Sequence, residues 1–399
     1  MRGLNRDSCD LSVPSARFRS AGNEPSSWAE MLGSSRHLGT DDLEESDHRI
    51  DMTSSAQHLS PSSPNERLSE ILVCPRDKLP LSERPGLLLC RNGHRYSVVE
   101  GVPILLLAEV EQNHIEGTRS LLVAEAGEKA ELPQFNVREG EIDPFVRNAI
   151  GATNGSLYQH LVGNISEYPI PSLRLPDGQG KLFLEIGCSW GRWCIAAARK
   201  GYQPVGIDPS LKGIRAARRI ARQLGIEAQY LVADGRYLPF RNGVFDQVFS
   251  YSVMQHIPKG DVRTSLQEVR RVLRAGGQCQ VQMPNVFGVR CLYHQLRRGF
   301  RAAKDFEVRY WRRRELSSAF DSIGPNYISV DGYFSLNAQV SDIRFFPRRY
   351  RVLVCASDFV RKLSRTFPPS AGLLIASTLL PRASRSCSVS RRCPSFAVE

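Results

Sequence analysis

Phe183-Leu184-Glu185-Ile186-Gly187-Cys188-Ser189-Trp190-Gly191 is an apolar run that enters a turn of small residues and continues into a helical pattern. Large apolar side chains in an unbroken run suit a parallel strand buried on both faces. Glycine lets the backbone turn sharply and come close to a ligand. A strand, a glycine-rich turn and a helix in this order is how an open α/β sheet forms a nucleotide site. Alone, such a turn is a weak signal, explained equally well as a purely structural bend.

The residues downstream shift that balance. Asp208 closes the next apolar run, Pro204-Val205-Gly206-Ile207, at the distance where a Rossmann-like fold sets a carboxylate against ribose hydroxyls. Asp234 closes Gln229-Tyr230-Leu231-Val232-Ala233 and is followed by Gly235. Another apolar run, Val244 to Tyr251, comes after Tyr237-Leu238-Pro239-Phe240. Leu266 to Leu273 reads as a helix stopped by Arg274-Ala275-Gly276-Gly277, with a strand from Gln278 to Met283 behind it. Strands alternate with helices, the pattern of a doubly wound α/β sheet.

This ordered set resembles the class I S-adenosylmethionine-dependent methyltransferases over roughly residues 150–355. The resemblance implies a Rossmann-like, seven-stranded, doubly wound sheet, with the sixth strand near Tyr327 to Val330 and the seventh near Arg351 to Cys355. It implies S-adenosyl-L-methionine as cofactor. Glu185 and the turn through Gly187, Ser189 and Gly191 would hold its methionine end, Asp208 its ribose and Asp234 with Gly235 its adenine edge, while Tyr251 would line the pocket. Ser189 departs from the family's usual middle glycine but is small enough for binding to survive. A nicotinamide-dependent oxidoreductase would instead want G-x-G-x-x-G, and Arg192 occupies the third glycine position.

Methyl transfer from a sulfonium asks the protein to align a nucleophile, exclude water and sometimes remove a proton. His256, after the fourth strand, is the candidate base; the competing reading makes it a pocket wall. Tyr158 and Tyr168 before the first strand, and Asn285 and Tyr293 after the fifth, are candidate acceptor contacts, with ordinary packing as the alternative. The run Tyr251-Ser252-Val253-Met254 lacks the Asn or Asp-Pro-Pro-Tyr signature of base-amine methylation. The favoured acceptor is therefore an O, N or C nucleophile on a small molecule, lipid or glycan-like metabolite. The runner-up is ribosomal or transfer RNA, and an inactive cofactor-binding scaffold is the third reading.

Upstream, Cys74-Pro75-Arg76-Asp77 and Cys90-Arg91-Asn92-Gly93-His94 form two short-spaced pairs of metal-ligand types. They resemble the small zinc ribbons fused to or partnered with methyltransferases, including bacterial ribosomal RNA guanine methyltransferases, in which the second pair can be Cys-x3-His. Asp77 stands where the first pair normally has a second cysteine. Two readings stand side by side: a zinc clamp of Cys74, Asp77, Cys90 and His94, or a ribbon without metal held by apolar contacts.

The 399 residues, 41% of them hydrophobic, suffice for one large core and a small satellite. Residues 1–65, rich in Ser, Pro and charge, read as a disordered head. Residues 66–108 read as the ribbon-like module, 109–180 as a linker and helical lid, 181–360 as the catalytic domain and 361–399 as a disordered basic Ser/Arg tail. Ten scattered cysteines without a secretory leader suggest reduced thiols in a cytoplasmic protein. No apolar run is long enough to span a bilayer, so the protein reads as soluble or at most peripheral. Between Arg290 and Arg365, sixteen Lys or Arg face seven Asp or Glu, most of the chain's surplus of +12. That favours an acidic partner such as nucleic acid, a phosphorylated or carboxylated metabolite or an anionic membrane surface, while for any single arginine a solvated basic face stays the leading reading and the surplus does not by itself identify RNA.

Overall fold

Short apolar runs separated by glycine turns form a meander at the N-terminal end of the computed structural model. The structure describes residues 64–129, 131–138, 140–333, 339–366 and 378–386. Helix α1 (Pro64–Ile71) leads into β1 (Leu81–Arg84), β2 (Leu87–Cys90), β3 (Arg95–Val99) and β4 (Val102–Leu105), each antiparallel to the next. Helices α2 (Ile115–Ala126) and α3 (Pro144–Asn154) follow. Asp143 caps α3 by accepting from the Phe145 amide at 2.9 Å, and Pro144 takes the first turn, where a missing N–H costs nothing.

The alternating part comprises β5 (Leu182–Ile186), α4 (Arg192–Ala198), β6 (Gln203–Asp208), α5 (Leu211–Gln223), β7 (Gln229–Ala233), β8 (Phe245–Tyr251), α6 (Lys259–Val272) and β9 (Leu273–Pro284). Strands β5 to β9 run parallel in the spatial order β7-β6-β5-β8-β9, reversing direction of growth beside β5. Ligands of open α/β sheets bind at that reversal, outside the carboxyl ends of the strands. Leu184, Ile186, Val248, Leu266 and Val269 pack on one face of the sheet; Cys194, Ile214, Ala217 and Tyr230 pack on the other. Strand β9 begins at Leu273, so the Arg274-Ala275-Gly276-Gly277 stop lies within the strand's first turn of backbone rather than ahead of it.

The remainder is α7 (Val289–Arg297), α8 (Arg313–Phe320), β10 (Asn326–Gly332), α9 (Arg348–Thr366) and β11 (Thr378–Ser384). Strand β11 lies antiparallel between β9 and β10 and completes seven core strands. Two expectations are corrected here. Arg351 to Cys355, expected as the seventh strand, is part of α9, whose inward residues Val354, Ser357 and Arg361 recur at helical spacing. The seventh strand comes instead from the stretch expected to be a disordered tail. There Leu379, Leu380 and Ala383 are buried, and the Arg385 guanidinium donates to the carbonyls of Arg271 (3.3 Å) and Leu273. Residues 1–63 of the expected head and 367–377 and 387–399 of the expected tail lie outside the described residues.

The meander joins this sheet. Strand β4 pairs in parallel with β7, Ile104 opposite Val232 and Leu105 opposite Ala233. The segment before β1 is tied to the loop after β7, where the Val73 amide donates to Pro239 O at 2.9 Å and Lys78 Nζ donates to Leu238 O at 3.3 Å, and to α6, where Lys78 Nζ donates to Glu268 Oε2 at 2.8 Å. Among the described residues no helix is long and apolar enough to cross a membrane.

Candidate functional site

Glu185 lies one residue before the end of β5, Asp208 ends β6 and Asp234 follows β7, so the register of these parallel neighbours brings the three carboxylates to the carboxyl end of the sheet. The turn after β5 packs too tightly for a larger backbone. A Cβ on Gly187, at φ +80°, would lie 2.4 Å from a Val253 methyl, and one on Gly191, at φ +79°, would lie 2.6 Å from the Tyr230 hydroxyl. Ser189 between them also adopts a left-handed conformation, φ 48°, which is why glycine is the ordinary residue there.

Glu185 is buried and accepts from the Cys194 amide at 2.9 Å. Burial pushes its carboxyl up to about 8, against the stabilising donation from Cys194. Asp208 accepts from the amides of Ser210 and Ser189, both at 2.9 Å, one on each oxygen. Burial still raises it to about 6. Each Asp208 oxygen keeps an open acceptor position for a hydroxyl.

The folded chain holds both protons more tightly than the unfolded chain, whose ordinary values are 4.5 and 3.8. The stability these groups contribute is therefore greatest below about pH 4 and is lost as pH rises, through about 6 for Asp208 and about 8 for Glu185. Glu185→Gln keeps an acceptor for Cys194 and removes the charge. Thermal unfolding of the ligand-free variant should show a melting temperature several degrees above wild type at pH 8, and the difference should shrink on acidification.

Asp234 is differently placed. Its oxygens accept from the Arg236 amide at 2.8 Å and from Arg236 Nε and Nη2 at 3.0 and 2.7 Å, while Arg236 Nη1 reaches Asp261 at 3.1 Å. Arg236 was not singled out in the sequence; its position two residues beyond Asp234 was the available signal. Gly235 lies within this loop, with its Cβ direction facing Ile186.

The Tyr251 hydroxyl donates to Asp331 Oδ2 at 2.8 Å, Asp331 also pairs with Arg174 at 3.1 Å, and the Tyr251 ring lies 4.6 Å from Trp193. Asp331 comes from β10, so this contact depends on the late strands and was not legible upstream. His256 stacks on Phe306 at 4.3 Å, with Nδ1 2.8 Å from the Phe306 carbonyl and Nε2 3.0 Å from Gln255. Burial lowers its pKa, favouring the neutral ring.

Tyr158 is buried, donates to Asp342 and lies beneath the Arg192 guanidinium. The Tyr168 hydroxyl accepts from the Asp143 amide at 2.7 Å and donates to Gln223 at 2.8 Å. Both pack in the cluster that holds Trp190 of the turn, and Trp190 donates to Asn154 of α3 at 3.2 Å. Asn285 is buried at a bridge to Trp311, while Tyr293 is exposed on α7. The structure thus gathers Glu185, Gly187, Ser189, Gly191, Asp208 and Asp234 at one strand end, and sets Tyr293 apart on an outer helix.

In the meander, the ligand atoms of Cys74, Asp77, Cys90 and His94 all lie within 4.8 Å of one another. His94 Nδ1 is 3.1 Å from Asp77 Oδ2 and 3.4 Å from Cys74 Sγ, and Cys90 Sγ is 3.2 Å from Asp77 Oδ2. Around a tetrahedral zinc, ligand atoms stand about 3.2–3.8 Å apart, so the donor set and its spacing suit that ion.

Residues 183–277 match the family model described as a methyltransferase domain. Norajmaline N-methyltransferase of Rauvolfia serpentina is 32% identical over 104 residues, 25% of this chain and 35% of that protein. A ubiquinone biosynthesis O-methyltransferase of Chelativorans sp. is 29% identical over 99 residues, 25% of this chain and 38% of that protein. A solved SAM-dependent methyltransferase of Methanosarcina mazei aligns with 18% identity and a TM-score of 0.38, covering 56% of this chain and 99% of that one. The chain thus spans well under half the length of the curated relatives it matches. Residues 183–277 are thus similar to a methyltransferase domain, and the strand order and glycine turn agree with a Rossmann-like α/β fold there.

Proposed function

We propose that this chain transfers the methyl group of S-adenosylmethionine to an O, N or C nucleophile of a small-molecule, lipid or glycan-like acceptor. The observation that carries this reading is the convergence of Glu185, Asp208 and Asp234 at adjacent parallel strand ends around a turn with no room for side chains at Gly187 and Gly191. The relatives named above are O- and N-methyltransferases, which supports the same chemistry. Bound there, the cofactor supplies an already activated methyl group. Glu185 and the turn amides take its methionine end, and Asp208 takes the ribose hydroxyls with the acceptor positions its own amide contacts leave open. Asp234 receives the adenine edge by sharing its oxygens with Arg236. Tyr251, fixed by Asp331 and Trp193, walls the pocket, and the buried aromatic cluster around Trp190 and Tyr158 keeps water from one side. His256 as proton acceptor requires release from Gln255 at Nε2. Calorimetric titration of S-adenosylhomocysteine into the whole chain, with NAD as control, tests the reading: micromolar binding of the first and none of the second is expected, and preference for NAD would overturn it.

The four-residue cluster in the meander supports a structural zinc clamp with Asp77 as fourth ligand. Elemental analysis of the purified chain should find about one zinc per molecule. Cys74→Ser or Cys90→Ser should lose it, and Asp77→Cys should retain it against chelators that strip the wild type.

A further inference from the structure

Helix α7 is fastened to the body by its small, polar side. Cys291 and Gln295 are 6% and 9% exposed, and Gln295 Nε2 donates to the carbonyls of Val286 at 2.9 Å and Cys291 at 3.2 Å. The side that would ordinarily form a core faces water: Val289 is 70% exposed, Tyr293 54% and Leu296 64%, with Leu292 between them. Positions 289, 292, 293 and 296 lie on one stripe of a helix. Phe300, in the turn beyond, extends the same exposed apolar surface.

The charges beside this stripe have one sign. From Val289 to Lys304 the chain carries Arg290, Arg297, Arg298, Arg301 and Lys304, and neither Asp nor Glu. Arg297 and Arg298 line an open groove of about 410 Å³ with His294 and Tyr310; its carboxylate, Glu307, is held by Arg301 at 2.6 Å. Helix α9 also exposes Val352 and Phe359 and opens with Arg348, Arg349 and Arg351, its one acid, Asp358, being paired with Arg361 and Lys362.

We propose that α7 docks this protein on an anionic lipid bilayer, lying in the plane of the headgroups. Its apolar stripe enters the acyl boundary, and the flanking arginines and the groove meet lipid phosphates. A nucleic acid would answer the arginines but leave Val289, Leu292 and Leu296 in water. An apolar stripe on a segment that carries cations and no anions from Val289 to Lys304, with the groove's one carboxylate already paired to Arg301, is complemented on both counts by an anionic membrane surface. Helix α7 starts four residues past Asn285, at the same carboxyl end of the parallel strands as Glu185 and Asp208, so docking brings that end toward the bilayer. Docking itself does not depend on methyl transfer.

Flotation of the whole chain with vesicles tests this. It should float with phosphatidylcholine containing about one third phosphatidylserine, stay behind with phosphatidylcholine alone, and detach as salt is raised. Leu292→Ser combined with Leu296→Ser, and separately Arg290→Glu combined with Arg297→Glu, should each weaken vesicle binding about tenfold or more. Circular dichroism and S-adenosylhomocysteine titration of these variants, altered at the exposed Leu292, Leu296 and Arg297 and the half-buried Arg290, should match wild type. Absence of flotation by the folded wild type would overturn the proposal and leave a protein partner as the occupant of the stripe. Flotation unchanged by the serine pair would overturn it in favour of diffuse charge attraction.

Discussion

A chain ended at Thr366 should not fold. Strand β11 is the strand neighbour of β10 and the outer neighbour of β9, so its removal strips β10 of its ladder and uncovers one edge of β9. Leu379 and Leu380 are fully or nearly fully buried, and burying two such side chains is worth about 3–6 kcal/mol before any backbone pairing is counted. Domains are stable by only about 5–15 kcal/mol, so losing the strand, its ladder and the Arg385 contacts exhausts most of that margin. The shortened chain is expected in the insoluble fraction, or soluble without a cooperative thermal transition. A chain ended at Ser386 keeps the whole strand and should melt as the full chain does. Equal melting of all three would show that β11 does not belong in the sheet.

Asp208→Ala should remove measurable cofactor binding. In the proposed complex the side chain takes two ribose hydroxyls, and charge-assisted hydrogen bonds of this kind contribute about 1.5–3 kcal/mol each. Their joint loss corresponds to a fall in affinity of about a hundredfold or more. The same carboxylate fastens the turn by accepting from Ser189 and caps the entry to α5 by accepting from Ser210, so alanine also loosens the cradle. Asp208→Asn separates the two effects: its carbonyl oxygen retains one amide contact but carries no charge. Calorimetry with S-adenosylhomocysteine should rank wild type, then asparagine, then alanine, with thermal unfolding confirming that each variant is folded. Wild-type affinity in the alanine variant would remove Asp208 from the cofactor site and with it the main support for the proposed function.

The alternating core was legible because its signals are local. An unbroken apolar run buried on both faces, then a glycine turn, then a helix needs no distant partner to be recognised, and the carboxylates stand beside those turns in the chain. The late strands were not legible for equally physical reasons. Arg351-Val352-Leu353-Val354-Cys355 is short and apolar, and over five residues a strand and a buried helical turn look alike. In Thr378–Ser384, Pro381 argues against a strand, since it lacks an N–H for the ladder. The pairing with β9 does lapse at Leu380 and Pro381, while pairing with β10 continues across them. Arginines in the same run suggested solvent, yet Arg382 stacks on Tyr327 and Arg385 caps carbonyls of the β9 entry. The partners of the site residues were hidden for a related reason: Asp331 reaches Tyr251 only once β10 is in place, and no local pattern announces a contact eighty positions away.

Strand β4 against β7 has a consequence for how this molecule behaves among its own copies. A parallel sheet that stopped at β7 would present a row of unpaired amides and carbonyls, an invitation to any extended chain and a seed for fibrous association. Here Ile104 and Leu105 of β4 pair with the end of that row, Val232 and Ala233, and the sheet is carried outward through β3 and β2 to β1, a strand of four residues. Its Ser82, Glu83 and Arg84 are exposed and polar. The meander therefore acts as a gatekeeper, exchanging an apolar border for a hydrophilic one on which incoming strands find little to extend.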